Sequence, residues 1–265
     1  MANRWDDLVN AETYADHVDD WRVYRELNQA LATALHKDGE VASVERMLDV
    51  GCGTGATLEA FLRVLPFELE VIAVDSAKAM VERARELVPD PRIEWQVAQG
   101  EECAAQYTSS FDLITCGAAF WHLESRAYAA MMDALRPGGR LVFNVPVAQC
   151  ARETATRHPI QAAIADLLAE QRGTFPAIHP RFDRRAFDVL CHQHGRSCAW
   201  TPFRWRGPQG ALVDLLKIPA MAEMVAPGLS QQDFDRLIRA AEGRVDRDQS
   251  VVVDWWLGLV GAASR

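Results

Sequence analysis

Hydrophobic and polar positions along the chain change period several times, and the changes mark its elements. Leu27, Leu31, Ala34 and Leu35 recur at helical spacing, and Gly39 follows as a stop, so the first forty residues are expected to be helical. A short apolar run, Met47-Leu48-Asp49-Val50, then meets a glycine cluster. Thr54 to Leu65 follows as a helix with Leu58, Phe61, Leu62 and Leu65 on one face. Residues 69–75 (Leu-Glu-Val-Ile-Ala-Val-Asp) predict a buried strand, Ala77 to Leu87 a helix stopped by Pro89, and Ile93 to Val97 a third strand. Phe111 to Cys116 is a fourth strand. Arg126 to Leu135 is a helix closed by Pro137-Gly138-Gly139, and Arg140 to Val145 is a fifth strand.

Alternation at this spacing predicts a parallel sheet covered on both faces, with ligands bound beyond the carboxyl ends of its strands. The rhythm breaks between 147 and 183, where one strong helix, Pro159 to Gln171, precedes a loop with Pro176 and Pro180. This stretch is expected to be an inserted lid. A helix from Arg184 to His194, a strand from Ser197 to Trp205, helices near 209–226 and 230–242, and a last strand from Ser250 to Gly261 complete the pattern. The expected organisation is one structural domain: a helical lid at 1–40, a ligand-binding core at 41–146, the inserted lid at 147–183, and the completion of the sheet at 184–265.

Composition narrows the use of such a fold. The chain has 265 residues and a formal net charge of −9, and a nucleic-acid binder ordinarily shows a basic face. No apolar run approaches the ~20 residues of a membrane span, and Met1 to Asp7 lacks the apolar core of a signal peptide. The expectation is a cytoplasmic protein, monomer or homodimer, that binds a small molecule rather than nucleic acid or membrane. Six scattered cysteines without a Cys-x-x-Cys pair predict reduced, buried thiols. Cys191, His192, His194 and Cys198 have zinc-like ligand types, but adjacent Cys191 and His192 point apart on a helix, so no metal is assigned.

The candidate chemistry lies in Asp49-Val50-Gly51-Cys52-Gly53-Thr54-Gly55, where a strand turns into a helix. Glycines there let the backbone approach a ligand, and a helix start offers unpaired N–H groups. Spacing alone also allows a dinucleotide fingerprint. Asp49 separates the readings: diphosphate does not favour a carboxylate there, whereas an α-ammonium and a sulfonium do.

This run resembles motif I of class I S-adenosylmethionine-dependent methyltransferases. The resemblance extends over residues 44–146 through Asp75 at the end of the second strand, Phe111-Asp112-Leu113-Ile114, and Leu135-Arg136-Pro137-Gly138-Gly139-Arg140-Leu141. It implies a Rossmann-like α/β fold with a mostly parallel seven-stranded sheet, helices on both faces and a helical lid. It implies S-adenosyl-L-methionine as cofactor and S-adenosyl-L-homocysteine as product. Asp49, Gly51, Cys52, Gly53, Thr54 and Cys116 are then cofactor residues; Asp75 takes the ribose hydroxyls, and Ser76 and Met80 line the adenine. Relatives often carry Gly-Asp-Ala-Glu after the third strand, where this chain has Gln99-Gly100-Glu101-Glu102. The aspartate position falls on Gly100, which shifts adenine recognition to Gln99, Glu101 or the backbone.

The loop at 117–124 is expected to meet the substrate. Trp121-His122 reverses the aromatic pair often found there, with Trp121 as pocket wall and His122 as base or substrate-orienting group. Tyr14, His17, Trp21 and Tyr24 fall on one face of the N-terminal helix, either packing on the core, closing over substrate or cradling a substrate cation, with Tyr14 a second catalytic candidate. Arg181, Arg184, Arg185, Arg196, Arg204 and Arg206 are a basic cluster, either solvated, facing a carboxylate- or phosphate-bearing substrate, or a docking face for a carrier protein. The resulting expectation is in-line methylation of a small metabolite. Modification of tRNA or protein, a non-methylating use of the cofactor, and a non-catalytic subunit stay open.

Overall fold

The computed structural model describes residues 4–20, 22–37, 43–172, 180–226 and 228–262. Its core is a seven-stranded sheet in the order β3-β2-β1-β4-β5-β7-β6. β1 (Arg46–Val50), β2 (Glu70–Asp75), β3 (Ile93–Val97), β4 (Phe111–Cys116) and β5 (Leu135–Pro146) run parallel. β7 (Ser250–Ala262) pairs antiparallel with β5, and β6 (Arg196–Pro208) antiparallel with β7. The mostly parallel seven-stranded sheet is therefore as expected. Central strands are apolar because both faces are covered: β1 and β4 bury Leu48, Val50, Leu113 and Ile114 to 1% exposure or less.

Helices α3 (Ala56–Leu62), α4 (Lys78–Leu87), α5 (Gly100–Ala105), α6 (Ser125–Ala134) and α8 (Arg184–Gln193) cover the sheet. Behind β5 an aromatic stack fixes the loop that leaves β4. Phe120 lies 3.7 Å from Phe143 and 4.5 Å from Tyr128, centroid to centroid, with Phe187 edge-on at 5.4 Å. Anchoring Phe120 this way holds its neighbours Trp121 and His122 in place.

Several local expectations are corrected. The N-terminal segment is two helices, α1 (Leu8–Asp20) and α2 (Arg22–Lys37), after a 3-10 turn at Arg4–Asp6. The helix after the glycine run starts at Ala56 instead of Thr54, because Gly55 adopts φ 88°, outside helical space. The helix expected over 209–226 breaks into α9 (Gln209–Leu216), a 3-10 turn at Pro219–Met221 and α10 (Ala222–Val225), since Pro219 has no N–H to continue the ladder.

The cap also differs from the expected division. α7 (Pro159–Arg172), from the expected lid, shares a second apolar core with α9, α10 and α11 (Gln231–Glu242). Ile160, Ile164, Val213, Phe234, Leu237 and Ile238 are buried in that core. The stretch 209–242 thus serves the cap, and its flanking strands serve the sheet. No described helix is long and apolar enough to cross a membrane.

Candidate active site

The glycine run is the centre of the site. Gly51, Gly53 and Gly55 adopt φ of 68°, 53° and 88°, conformations that glycine enters without a Cβ penalty. Gly51 N and Cys52 N both donate to Val74 O, at 2.8 and 3.0 Å, and tie the loop to the end of β2. Asp75 locks the arrangement: Oδ2 accepts from Gly53 N and Oδ1 from Ala77 N, each at 2.9 Å. Burial raises the Asp75 pKa, and these backbone donors oppose the rise. With the backbone of Ser76 as a third donor, the carboxylate keeps at least one lone pair for a ligand. A Cβ added to Gly53 would meet nothing within 4 Å, so the loop presents bare backbone to open space.

That space is a cavity of about 1030 Å³ at the carboxyl ends of the strands. Gly51, Cys52, Gly53, Thr54, Asp75, Ser76, Met80, Gln99 and Gly100 line it, bringing together most of the cofactor residues expected from sequence. Three lie elsewhere. Asp49 is fully buried below the loop, where Oδ1 accepts from Thr115 Oγ1 at 2.6 Å and Oδ2 has no protein partner. Burial first, and Asp75 after the opposing Thr115 bond, push its pKa up to about 7. Cys116 lies in the main core, and Ala118 and Ala119 beyond it reach the cavity instead. Glu101 is taken by Arg126, through contacts of 2.6 and 2.9 Å. Of the three residues at the expected adenine position, Gln99 and Gly100 line the cavity and Glu101 does not.

The end of the cavity away from the glycine loop is aromatic. Ring centroids lead from Trp5 to Tyr14 (5.3 Å), Tyr24 (6.3 Å), Trp255 (6.1 Å), Trp121 (5.5 Å) and His122 (5.1 Å), and all six residues line the cavity. Tyr14, Trp121 and His122 are where the sequence placed them. His17 does not line the cavity, because Tyr14 and Tyr24 belong to different helices and the single face does not exist. Trp21 lies outside the described residues. Leu212, Leu215 and Leu216 of α9, with Ile164 and Leu168 of α7, close the chamber with apolar surface.

Protonation limits what the candidates can do. Burial, then Tyr24 and Asp75, hold the Tyr14 phenol above its ordinary pKa, so it stays a hydroxyl and can donate. His122 Nδ1 lies 3.2 Å from Arg181 Nη1. Guanidinium has donors only, so Nδ1 is the acceptor and the proton of neutral imidazole sits on Nε2. The ring is accessible, yet protein around it and then the Arg181 charge lower its pKa to about 4. At neutral pH His122 offers an N–H and has its lone pair occupied, which fits substrate orientation and not proton removal.

Trp5, Asn28, Gln149, His158 and Trp255 line the cavity without having been singled out as its lining from sequence, and Tyr24, expected to pack on the core or close over substrate, lines it as well. Asn28 Oδ1 accepts from Thr57 Oγ1 at 3.1 Å and fastens α2 over α3. His158 is 8% exposed, with its pKa lowered by burial against the opposing Asp254. The basic cluster is dispersed. Arg196 binds the carbonyls of Gly139, Leu135 and Arg136; Arg184 pairs with Glu153 over Trp256; Arg204 pairs with Asp254. Cys191 is in the core, and His194 Nδ1 contacts Asp133 at 3.0 Å.

Comparison with known proteins agrees with this geometry. Residues 47–139 match the family described as a methyltransferase domain. A ubiquinone biosynthesis O-methyltransferase of Xanthomonas oryzae pv. oryzae is 33% identical over 129 residues, 47% of this chain and 49% of that protein. The chain thus spans about half the length of the curated relatives it matches. The structure of YcgJ from Bacillus subtilis superposes with TM-score 0.58 at 17% identity, covering 89% of this chain and 99% of that one. Phosphoethanolamine N-methyltransferase 2 of Haemonchus contortus, solved with S-adenosyl-L-methionine, gives TM-score 0.55 at 17% identity, covering 90% of this chain and 53% of that one. At these identities the structural likeness is one of fold. Residues 47–139, which hold the glycine loop, are thus similar to a methyltransferase domain, and the sheet around them shares its fold with solved methyltransferases.

Proposed function

We propose that the chain transfers the methyl group of S-adenosyl-L-methionine in line to a small molecule held under the cap, leaving S-adenosyl-L-homocysteine. The supporting observation is that one cavity joins the bare glycine loop and Asp75 to an apolar, aromatic chamber. At about 1030 Å³ it stands at the upper end of small-molecule pockets, which supports a cofactor and a small substrate bound side by side.

The residues present suit the cofactor. A side chain at Gly53 would occupy the cradle, and Asp75 has two oxygens for a ribose diol. Gln99, Gly100, Ser76 and Met80 would enclose the adenine. Asp49 acts from beneath the loop, through its buried charge. When bound, the cofactor supplies an electrophilic methyl carbon on a sulfonium leaving group. The protein's own work is alignment and exclusion of water. The cap core and the Tyr14-Tyr24-Trp255-Trp121 wall shut the chamber, while the Tyr14 hydroxyl and His122 Nε2–H orient the acceptor. The name of the curated relatives, ubiquinone biosynthesis O-methyltransferase, supports an oxygen acceptor, and the apolar chamber supports a largely apolar molecule.

The test is transfer of an isotope-labelled methyl group from S-adenosyl-L-methionine into a deproteinised metabolite extract, read by mass spectrometry. A labelled small molecule is the expected result. Label found only in protein or RNA of an unfractionated extract would refute the small-molecule reading.

A further inference from the structure

Among the described residues, Arg181 has one side-chain partner, His122, and no carboxylate. The carboxylates that line the cavity are otherwise engaged. Asp75 accepts two backbone N–H groups, Glu153 accepts from Arg184 and Trp256, and Asp254 accepts from Arg204. Arg181 is exposed beside Pro180 of the cavity wall and spends one of its five N–H donors on His122 Nδ1. That contact leaves His122 with Nε2–H as its remaining polar group. Two donors, one carrying full positive charge, thus adjoin at the rim of a chamber whose wall nearby is the aromatic run from Trp121 to Trp255.

We propose that His122 and Arg181 form a recognition corner for an anionic oxygen headgroup, a carboxylate or a phosphate, on a substrate whose apolar body lies along the aromatic wall. The inference rests on the small-molecule reading of the cavity and names its substrate class. A carboxylate or phosphate there would receive the Nε2–H bond and a charge-assisted bond from the guanidinium. The guanidinium, which meets no carboxylate among the described residues, also discriminates against cationic amines, because its charge opposes their attraction to the Tyr and Trp faces.

The experiment needs no turnover. Naphthoate, naphthyl phosphate and naphthylmethanol are titrated against the full chain by calorimetry, with S-adenosyl-L-homocysteine present and absent. At least one anionic probe is expected to bind about tenfold more tightly than the alcohol, the scale of one charge-assisted hydrogen bond. The better of the two anions identifies the headgroup. Arg181→Gln is expected to erase the preference while leaving alcohol and S-adenosyl-L-homocysteine affinities unchanged, and His122→Phe to reduce it. Nitrogen-15 spectra of histidine-labelled protein should show His122 protonated on Nε2, with mixed tautomers in Arg181→Gln. Equal binding of the three probes, binding by none, or a preference that survives Arg181→Gln would overturn the proposal. Wild-type protein that fails to bind S-adenosyl-L-homocysteine while keeping the anion preference would strike the cofactor reading and leave this one standing.

Discussion

Alanine at Gly53 and alanine at Gly55 should separate a ligand cradle from a fold requirement two residues away. Both glycines have positive φ, 53° and 88°, and an L-residue in the left-handed region costs ~1–2 kcal/mol, partly offset by the smaller backbone entropy of unfolded alanine. For Gly53→Ala nothing is added to that cost, because the new Cβ meets no atom within 4 Å. The net loss of stability should be about 1 kcal/mol. For Gly55→Ala the Cβ would stand 2.9 Å from Val88 Cγ2, with Trp95 at 3.6 Å and Ala84 at 3.7 Å. Overpacking of this kind adds ~1–3 kcal/mol, for a total near 2–4 kcal/mol. Affinity should follow the opposite order. The Gly53 methyl enters the space where the cofactor meets bare backbone, so S-adenosyl-L-homocysteine should bind at least about tenfold more weakly. Urea unfolding gives the first pair of quantities and calorimetry the second. A Gly53→Ala protein that binds S-adenosyl-L-homocysteine like wild type, or is destabilised as much as Gly55→Ala, would refute the assignment of this glycine.

Asp75→Asn should lower S-adenosyl-L-homocysteine affinity by ~1.5–3 kcal/mol and stability by ~1–3 kcal/mol, because an amide cannot accept from both Gly53 N and Ala77 N; wild-type values in calorimetry and urea unfolding would contradict it. Asp49 titrates near 7 in the fold against 3.8 unfolded, so the native state holds its proton more tightly, and its contribution to stability falls as pH rises from about 4 to about 7. Asp49→Asn should remove that slope, so the variant should gain on wild type by ~1–3 kcal/mol between pH 5 and 8; parallel stability–pH curves would count against it. Phe120→Ala should cost ~3–5 kcal/mol by emptying the stack on Phe143 and Tyr128. It should also weaken probe binding at the Trp121-His122 loop, whereas a loss below ~1 kcal/mol would show that the stack does not anchor the loop.

What the sequence determined by itself is whatever depends on neighbours along the chain. Positive-φ backbone needs glycine, so Gly51, Gly53 and Gly55 marked the turn. A buried parallel strand needs an apolar run, so β1 to β5 were legible almost to their ends. Asp75 was legible because it closes such a run beside the turn. Side-chain direction was not. Asp49 sits two residues before the loop, but its place in the pleat points it at Thr115 instead of the cavity. Glu101 follows Gly100, but Arg126, twenty-five residues on, claims it. The substrate chamber was the least legible part. Trp5, Tyr24, Trp121, His158 and Trp255 share no local pattern, and only the folding of α1 and α2 across β7 and the cap brings them to one wall. The same holds for Arg181 beside His122, fifty-nine residues apart. Backbone conformation is decided over a few residues and leaves its mark in residue type; a cavity between distant segments is decided by packing, and the cost of leaving it unfilled or unpaired is settled only in three dimensions.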